Sequence, residues 1–470
     1  MPTGLDIPID VDRAAVEPIR VQIARQLRSA IEAGLLPAGY VIPSSRNLAA
    51  SLRVSRSTVV AALTELEGEG WIETSQGSKT LVSERPDRRS ATSPATPQRS
   101  GAEAGDRVDM RPGDLNPDDI VQSGWRSAWR AVAPVSAPPP ATGTSELRAA
   151  LAAYLGASRG LPCDAQQIVV CAGTAEAMTV LTFAFGWSDR CVLVEDPGYP
   201  AIRTALEVLG TRCEPVDVAD PAALLQNVRA VGVSAAAFYL TPSHQYPLGH
   251  RIDERTRGEL LAWSRETDTV LIEDDYDSEF RFGVAPLPSL AGIDPNSNTI
   301  YVGTMSKVLD PGLRLTFLRV PPHLLDAVVH VRKALGSTVS AQVQQAVTHL
   351  LRSGELARHI ARIRKIYADR RRVLLDELDH LPAVREIRGL DAGLHVVVEL
   401  DQRVSAAEVV AQAGAIGIAI ADLDEFRMSS TGRPALVLGY GRLPPAVLRS
   451  AVRRLAALPA LRCSGVRPIT

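Results

Sequence analysis

Apolar residues recur every fourth position at Ile23, Leu27 and Ile31, which predicts one amphipathic helix that stops near Gly34 and Pro37. A second, short helix is predicted after Pro43, with Leu48, Ala49 and Leu52 turned inward. A third is predicted from Ser55, carries Val59, Leu63 and Leu66 on one face, and ends near Gly68 and Gly70. Residues 71–74 and 79–82 read as two short strands, joined through Ser75, Gln76, Gly77 and Ser78 as a hairpin. Further along the pattern changes. Short apolar runs at 168–170, 191–194, 235–240, 269–272 and 299–302 alternate with helical stretches, as an α/β domain built on a mainly parallel sheet requires.

Between these two patterns lies the segment ERPDRRSATSPATPQRSGAEAGD, residues 84–106, in which no apolar side chain larger than Ala or Pro occurs. Such a stretch cannot build a core, and extended it spans at most roughly 75 Å. The expected organisation is therefore a small domain at 12–83, a flexible linker at 84–106 and a large domain at 107–465, with room for domains to be exchanged across a homodimer.

The chain has 470 residues, 46% of them hydrophobic, and a formal net charge of −2, so overall charge gives no reason to expect a polyanion or a membrane surface as partner. Any nucleic-acid site has to be local. Between Ala33 and Thr64 there are three arginines, Arg46, Arg53 and Arg56, and no acid. The five cysteines, Cys163, Cys171, Cys191, Cys213 and Cys463, form no CxxC pair, which speaks for reduced thiols and against a metal site. With no leader-like start and no run of 18 apolar residues, a cytoplasmic location and no membrane partner are expected.

Lysine is rare, at four residues against 47 arginines, and Lys307 stands in an unusual place. It closes the stretch Gly303-Thr304-Met305-Ser306-Lys307 directly after a strand-like run, with Arg314 shortly beyond. An amine at the C-terminal edge of a strand can form a Schiff base with an aldehyde cofactor. The hydroxyls of Thr304 and Ser306 and the Arg314 guanidinium can hold a phosphate that such a cofactor carries. Other strand ends supply complementary groups. Gly173-Thr174-Ala175 opens a helix whose N–H groups suit a phosphate, Tyr199 places a ring at a turn, and Asp274 and Tyr276 offer a carboxylate and a phenol.

In the small domain, Ser55-Arg56-Ser57-Thr58 opens the third helix with free N–H groups, hydroxyls and a guanidinium, the end a recognition helix turns toward DNA; serines there are more often plain caps. The order of residues adds to this. The string from Leu36 to Val82, with PSSRNLAASLRVSRSTV at its centre, resembles the GntR-type winged helix-turn-helix. That resemblance implies contacts to double-stranded operator DNA by Ser44, Ser45, Arg46, Ser55, Arg56, Ser57 and Thr58, and by Gly77 and Lys79 in the wing.

The large domain is similar to the fold type I aminotransferases that bind pyridoxal 5′-phosphate, and the whole chain resembles the MocR family of bacterial transcription regulators. The marks are EDPGYP at 195–200, TPSHQYPLG at 241–249, IEDDYDSEF at 272–280, GTMSKVLDPGLR at 303–314 and AGLH at 392–395. The resemblance implies that Lys307 forms the internal aldimine, Asp274 pairs with the pyridinium nitrogen, Tyr276 binds the cofactor's O3′ and Tyr199 stacks on the ring. Thr174, Thr304 and Arg314 would bind the phosphate, with backbone amides after Gly173. The expected effector is pyridoxal phosphate or an amine, and the aminotransferase-like domain is expected to serve as a sensor, with residual turnover left open.

Three departures from the family pattern bear on the effector. Ala175-Glu176 stands where many relatives have glutamine. Val437 and Ala201 stand where amino-acid-binding relatives carry arginines for a carboxylate, which disfavours tight binding of an ordinary amino acid. Within the family this points to a PdxR-like branch that answers to the cofactor and governs vitamin B6 synthesis.

Overall fold

A computed structural model describes residues 9–13, 15, 17–75, 79–83, 108–113, 115–120, 122–132, 138–283, 288–294, 297–429 and 432–462. The predicted linker at 84–106 and the wing residue Gly77 lie outside the described residues. The chain divides into two compact units, residues 1–103 and 104–470.

The first unit runs α1 (Ile19–Glu32), β1 (Val41–Ile42), α2 (Ser45–Leu52), α3 (Arg56–Gly68), β2 (Ile72–Ser75) and β3 (Lys79–Val82). Its core contains Ile23, Leu27, Leu48, Val59, Ala62 and Leu66. Ile31, Leu52 and Leu63 are only partly buried, and Ala30 and Ala62 take the innermost places instead. The reason is helical geometry: at 3.6 residues per turn the buried face mixes steps of four and three, as in 23, 27, 30 and 59, 62, 66. The two strands of the predicted hairpin pair antiparallel, while residues 76–78 between them lie outside the described residues. The two-residue β1, too short to leave a pattern in the sequence, adds a third strand by pairing antiparallel with β3.

The second unit is built on a seven-stranded sheet, in spatial order Ile168–Cys171, Thr316–Arg319, Thr299–Thr304, Val270–Asp275, Ala235–Leu240, Cys191–Asp196 and Arg212–Asp217. All pairs are parallel except those of Thr316–Arg319, which runs antiparallel to both neighbours. Apolar clusters cover both faces. Helix Thr174–Phe185 contributes Met178 and Leu181 on one side, and helices Ser145–Arg159 and Glu254–Thr267 contribute Leu151 and Leu260 on the other. This two-sided burial explains why the five predicted strands read as unbroken apolar runs. Arg212–Asp217 was not expected because, as an edge strand carrying Pro215 and charges, it has no such run. Downstream, Val384–Arg388, His395–Leu400, Ala435–Gly439 and Ala421–Asp422 form a separate antiparallel sheet of four strands. That sheet too is an addition to the sequence-based reading.

Gly303 lies opposite Phe317 in the strand pair that leads into Lys307, and a Cβ placed on it would overlap the buried Phe317 ring. Gly303→Ala should therefore destabilise the second unit by roughly 1–3 kcal/mol. Denaturant unfolding monitored on this unit checks it. Adding Phe317→Leu should recover part of the loss, and an unaltered midpoint for Gly303→Ala would contradict the packing described.

Candidate functional site

The parallel strands of the second unit all end at one sheet edge, the place where open α/β sheets collect ligands. At this edge the strand Val270–Asp275 presents three consecutive carboxylates, all buried. Glu273 accepts the N–H groups of Leu290 and Ala291, each at 3.0 Å. Asp275 meets Arg159 Nε at 2.5 Å and accepts the Tyr301 hydroxyl at 2.6 Å. Asp274, whose side chain alternates to the opposite face, differs. The Tyr239 hydroxyl donates to its Oδ2, while Oδ1 is buried with no hydrogen-bond partner. Burial pushes the Asp274 carboxyl up to about 7, although the Tyr239 hydrogen bond and the nearby Lys307 charge act in the opposite direction.

Lys307 is half-buried beyond the strand Thr299–Thr304, and its Nζ donates to the carbonyl of Gly113 at 2.6 Å. Thr304 Oγ1 accepts the Ser306 N–H at 3.1 Å, which folds the chain into the turn that presents the lysine. Arg314 holds a left-handed backbone at φ 49° and points its Nη2 toward the carbonyl of Ala172 at 3.4 Å. Its guanidinium therefore faces Gly173, at the start of the helix Thr174–Phe185. A Cβ on Gly173 would lie 3.0 Å from Nη2, and φ at this position is 101°, so only glycine leaves this space open. Thr174 is half-buried at the helix start and Ala175 is exposed.

Tyr199, with 43% of its surface exposed, stands edge-on to Tyr246 at 5.6 Å. Its hydroxyl titrates above the usual tyrosine range through burial and the neighbouring Asp274 carboxyl. Tyr276 Oη lies 3.0 Å from His244 Nδ1, and the same nitrogen lies 2.9 Å from Asp277 Oδ2. Tyr246 packs edge-on against Tyr276 and His395 as well, so an aromatic wall forms beside Tyr276.

Thus Asp274, Tyr276, Lys307, Thr304, Ser306, Arg314, Gly173, Thr174 and Tyr199 all flank this sheet edge. Reasoning from the sequence missed Tyr239, His244, Asp277 and the Gly113 carbonyl. His244 belongs to the quoted TPSHQYPLG stretch and Asp277 to IEDDYDSEF, so both were in view without a role. Nothing in the sequence marks Tyr239, an internal residue of an apolar strand, or a backbone carbonyl far from the other motifs.

The departures from the family pattern have physical explanations. Glu176 turns back to accept the Ala172 N–H, Arg332 Nη1 at 2.9 Å and Thr338 Oγ1 at 2.8 Å, so its carboxylate is engaged in holding the loop. Val437 is fully buried in an apolar cluster with Val397, Ala421 and Phe426. Ala201 is exposed on helix Pro200–Val208.

In the first unit the hydroxyls of Ser44 and Ser55 are engaged as helix caps, accepting the N–H groups of Asn47 at 3.3 Å and Thr58 at 3.1 Å. Ser55 Oγ also contacts the Ser57 and Thr58 hydroxyls at 2.8 and 2.7 Å. Arg56 Nε donates to Ser45 Oγ at 3.2 Å, joining the starts of α2 and α3. Arg46, Arg56, Ser57 and Lys79 are exposed. Among the described residues no cluster of three or more His, Cys, Asp or Glu side chains could hold a metal, and no helix is long and apolar enough to cross a membrane.

Residues 19–82 match the bacterial regulatory proteins of the gntR family, and residues 128–438 match aminotransferase class I and II. The chain is 34% identical over 447 residues to the HTH-type pyridoxine biosynthesis transcriptional regulator PdxR of Corynebacterium glutamicum, covering 93% of this chain and 95% of that protein. It is 32% identical over 486 residues to the "Probable rhizopine catabolism regulatory protein MocR" of Rhizobium meliloti, covering 98% and 97%. The structure of LysN, the α-aminoadipate aminotransferase of Thermus thermophilus solved with N-(5′-phosphopyridoxyl)-L-leucine, aligns with a TM-score of 0.68 at 26% identity, over 76% of this chain and 92% of that one. Both folded units and the near full-length matches agree, and the chain belongs to the MocR family of transcriptional regulators, in which a GntR-type winged helix-turn-helix precedes an aminotransferase class I and II domain.

Proposed function

We propose that this regulator binds pyridoxal 5′-phosphate in its second unit and operator DNA through its first, and that it acts as a homodimer controlling vitamin B6 synthesis or a neighbouring metabolic operon. The observation that carries the cofactor reading is the buried, unpartnered Oδ1 of Asp274, at the same sheet edge as a lysine amine and a glycine helix start faced by an arginine. A lone carboxylate oxygen without a donor is costly at such depth, and a protonated ring nitrogen is the donor it lacks.

When bound, the cofactor supplies an aldehyde able to join an amine covalently and a ring able to draw electron density from it. The chain's own residues do the rest. The Gly113 carbonyl holds the Lys307 amine at the sheet edge. Asp274, kept in place by Tyr239, accepts the ring N–H and holds that proton at the pyridine nitrogen. The Tyr276 hydroxyl, oriented through His244 and Asp277, donates to the cofactor's O3′. Tyr199 covers the ring face and limits water. Gly173, Thr174, Ala175, Thr304, Ser306 and Arg314 neutralise and orient the phosphate through amides, hydroxyls and a guanidinium. The apolar surroundings of Val437 and the exposed methyl of Ala201 leave no guanidinium at either position for an amino acid's carboxylate. This favours the cofactor itself as effector over an amino acid, as does similarity to a pyridoxine biosynthesis regulator.

In the first unit, Arg46, Arg56, Ser57 and Lys79 are the exposed groups available to DNA, whereas Ser44 and Ser55 serve chiefly to fix the helix ends. The proposed division of work is that the caps and the Arg56–Ser45 contact set the angle between α2 and α3. The exposed cations then meet phosphates and base edges.

Borohydride treatment of the protein saturated with pyridoxal phosphate should leave a pyridoxyl group on Lys307, read by peptide mass mapping. Recovery on Lys79, Lys333 or Lys365 would overturn the assignment, and Lys307→Ala should lose the absorbance of the covalently joined cofactor. A second prediction concerns pH. The folded Asp274 carboxyl, at about 7, binds its proton more tightly than an unfolded aspartate near ~3.9. The cofactor-free fold is therefore penalised as pH rises between these values, by roughly 1.4 kcal/mol per unit, and the penalty is constant above. Asp274→Asn lacks the group, so its urea midpoint should gain on wild type from pH 5 to pH 7; a difference that stays flat or reverses would contradict the raised carboxyl. Arg56→Ala should lower operator binding by about 1–3 kcal/mol if its guanidinium reads a guanine edge, and leave cofactor absorbance intact. A loss equal on operator and random DNA, with a salt slope reduced by about one, would reassign Arg56 to a phosphate.

A further inference from the structure

Val60 is 43% exposed on α3, a large apolar side chain that the core of the first unit leaves unused. The buried side of this helix is formed by Val59, Ala62 and Leu66. The opposite side carries Ser57, Val60, Ala61 and Thr64, all exposed and spaced by three and four residues, so they share one face. None of the four is charged. A solvated helix face ordinarily carries charge, as α1 does with its exposed Arg20, Arg25 and Glu32. The next acid along α3, Glu65, is drawn toward α1, pairing with Arg20 at 3.0 Å and Arg28 at 3.9 Å. At the leading end of the face stands Arg56, whose Nε donates to Ser45 Oγ, next to Arg46 in the chain. Both arginines are exposed, and no acid occurs between Ala33 and Thr64.

We propose that Val60 sets specificity by packing against the 5-methyl group of a thymine in the major groove, an inference that rests on the reading that α3 meets operator DNA. A stripe of methyls and hydroxyls led by cations suits that groove: phosphates take the cations while base edges meet the stripe. A second copy of the same face, placed across a two-fold axis, would instead bring like charges together. The valine side chain has neither donor nor acceptor, so it reads no hydrogen-bonding pattern. The thymine methyl is the one apolar group that a base presents in the major groove. The branched side chain is stiff in a helix, so little rotamer freedom is lost when its methyls meet that group. At 1.5 Å per residue Val60 lies about 6 Å beyond Arg56, which places the thymine within roughly two base pairs of the Arg56 contact.

For the test, the full-length protein first enriches duplexes from a random-sequence pool. Each thymine of the enriched site is then replaced by deoxyuridine, which lacks only the 5-methyl group. Wild type should lose roughly 3–10-fold in affinity at one thymine. Val60→Ala, a change that favours the helix at an exposed position, should bind the thymine duplex weaker by a similar factor and be indifferent to deoxyuridine at that place. Its salt dependence should match wild type, because no phosphate contact is lost. An enriched site that tolerates deoxyuridine throughout, or a penalty equal in wild type and Val60→Ala, would overturn the assignment and leave the operator reading standing. So would Val60→Ala that binds DNA as wild type does but sediments differently, because the face would then meet a second copy. A wild type that enriches no sequence would remove the operator reading and this assignment together.

Discussion

Three adjacent carboxylates inside a fully buried strand are costly to desolvate, and the architecture of the second unit is organised around meeting that cost. Because side chains alternate along a strand, Glu273 and Asp275 fall on one face and Asp274 on the other. On the first face the demand is met internally. Backbone amides of a short helix and Arg257 serve Glu273, and Arg159 and Tyr301 serve Asp275. On the second face only one oxygen of Asp274 is served, by Tyr239. A strand of six apolar residues would stabilise the sheet with less risk. The carboxylate is retained at the one place where the lysine turn, the glycine-led helix and the tyrosine wall meet.

That arrangement separates what recognises a heterocycle and its phosphate from what would recognise an amino acid. Lys307, Asp274, Arg314 and the Gly173 cradle stand together at the sheet edge, while Val437 sits in a closed apolar cluster and Glu176 is turned into a loop-holding network with Arg332 and Thr338. On the proposed reading, the aminotransferase layout has kept its hold on the cofactor and gave up its hold on the substrate carboxylate. In the first unit, a comparable economy reserves two serines for caps and leaves arginines exposed for DNA.

Much of this was legible in the sequence where one local pattern reports one local fact. The five predicted strands were visible because both their faces are apolar, and the three helices of the first unit because their faces repeat at helical spacing. Lys307 and Asp274 stood out because a lone lysine and a run of acids are anomalous next to buried strands. What was not legible depends on pairing over distance. Tyr239 looks like any strand aromatic until Asp274 lies beside it, and the Gly113 carbonyl carries no sequence signal. Arg212–Asp217 was hidden for a different reason: at the sheet's edge, with Pro215 and charged residues, it lacks the apolar run that identifies a buried strand.

The central claim is that the unserved oxygen of Asp274 is the partner of a protonated pyridine nitrogen. Nitrogen NMR on protein loaded with cofactor ¹⁵N-labelled in its ring reads this directly. Wild type should show a pyridinium resonance, at and above neutral pH, that moves to the unprotonated range in Asp274→Asn. An unprotonated ring nitrogen in wild type, or the same resonance in both proteins, would contradict it.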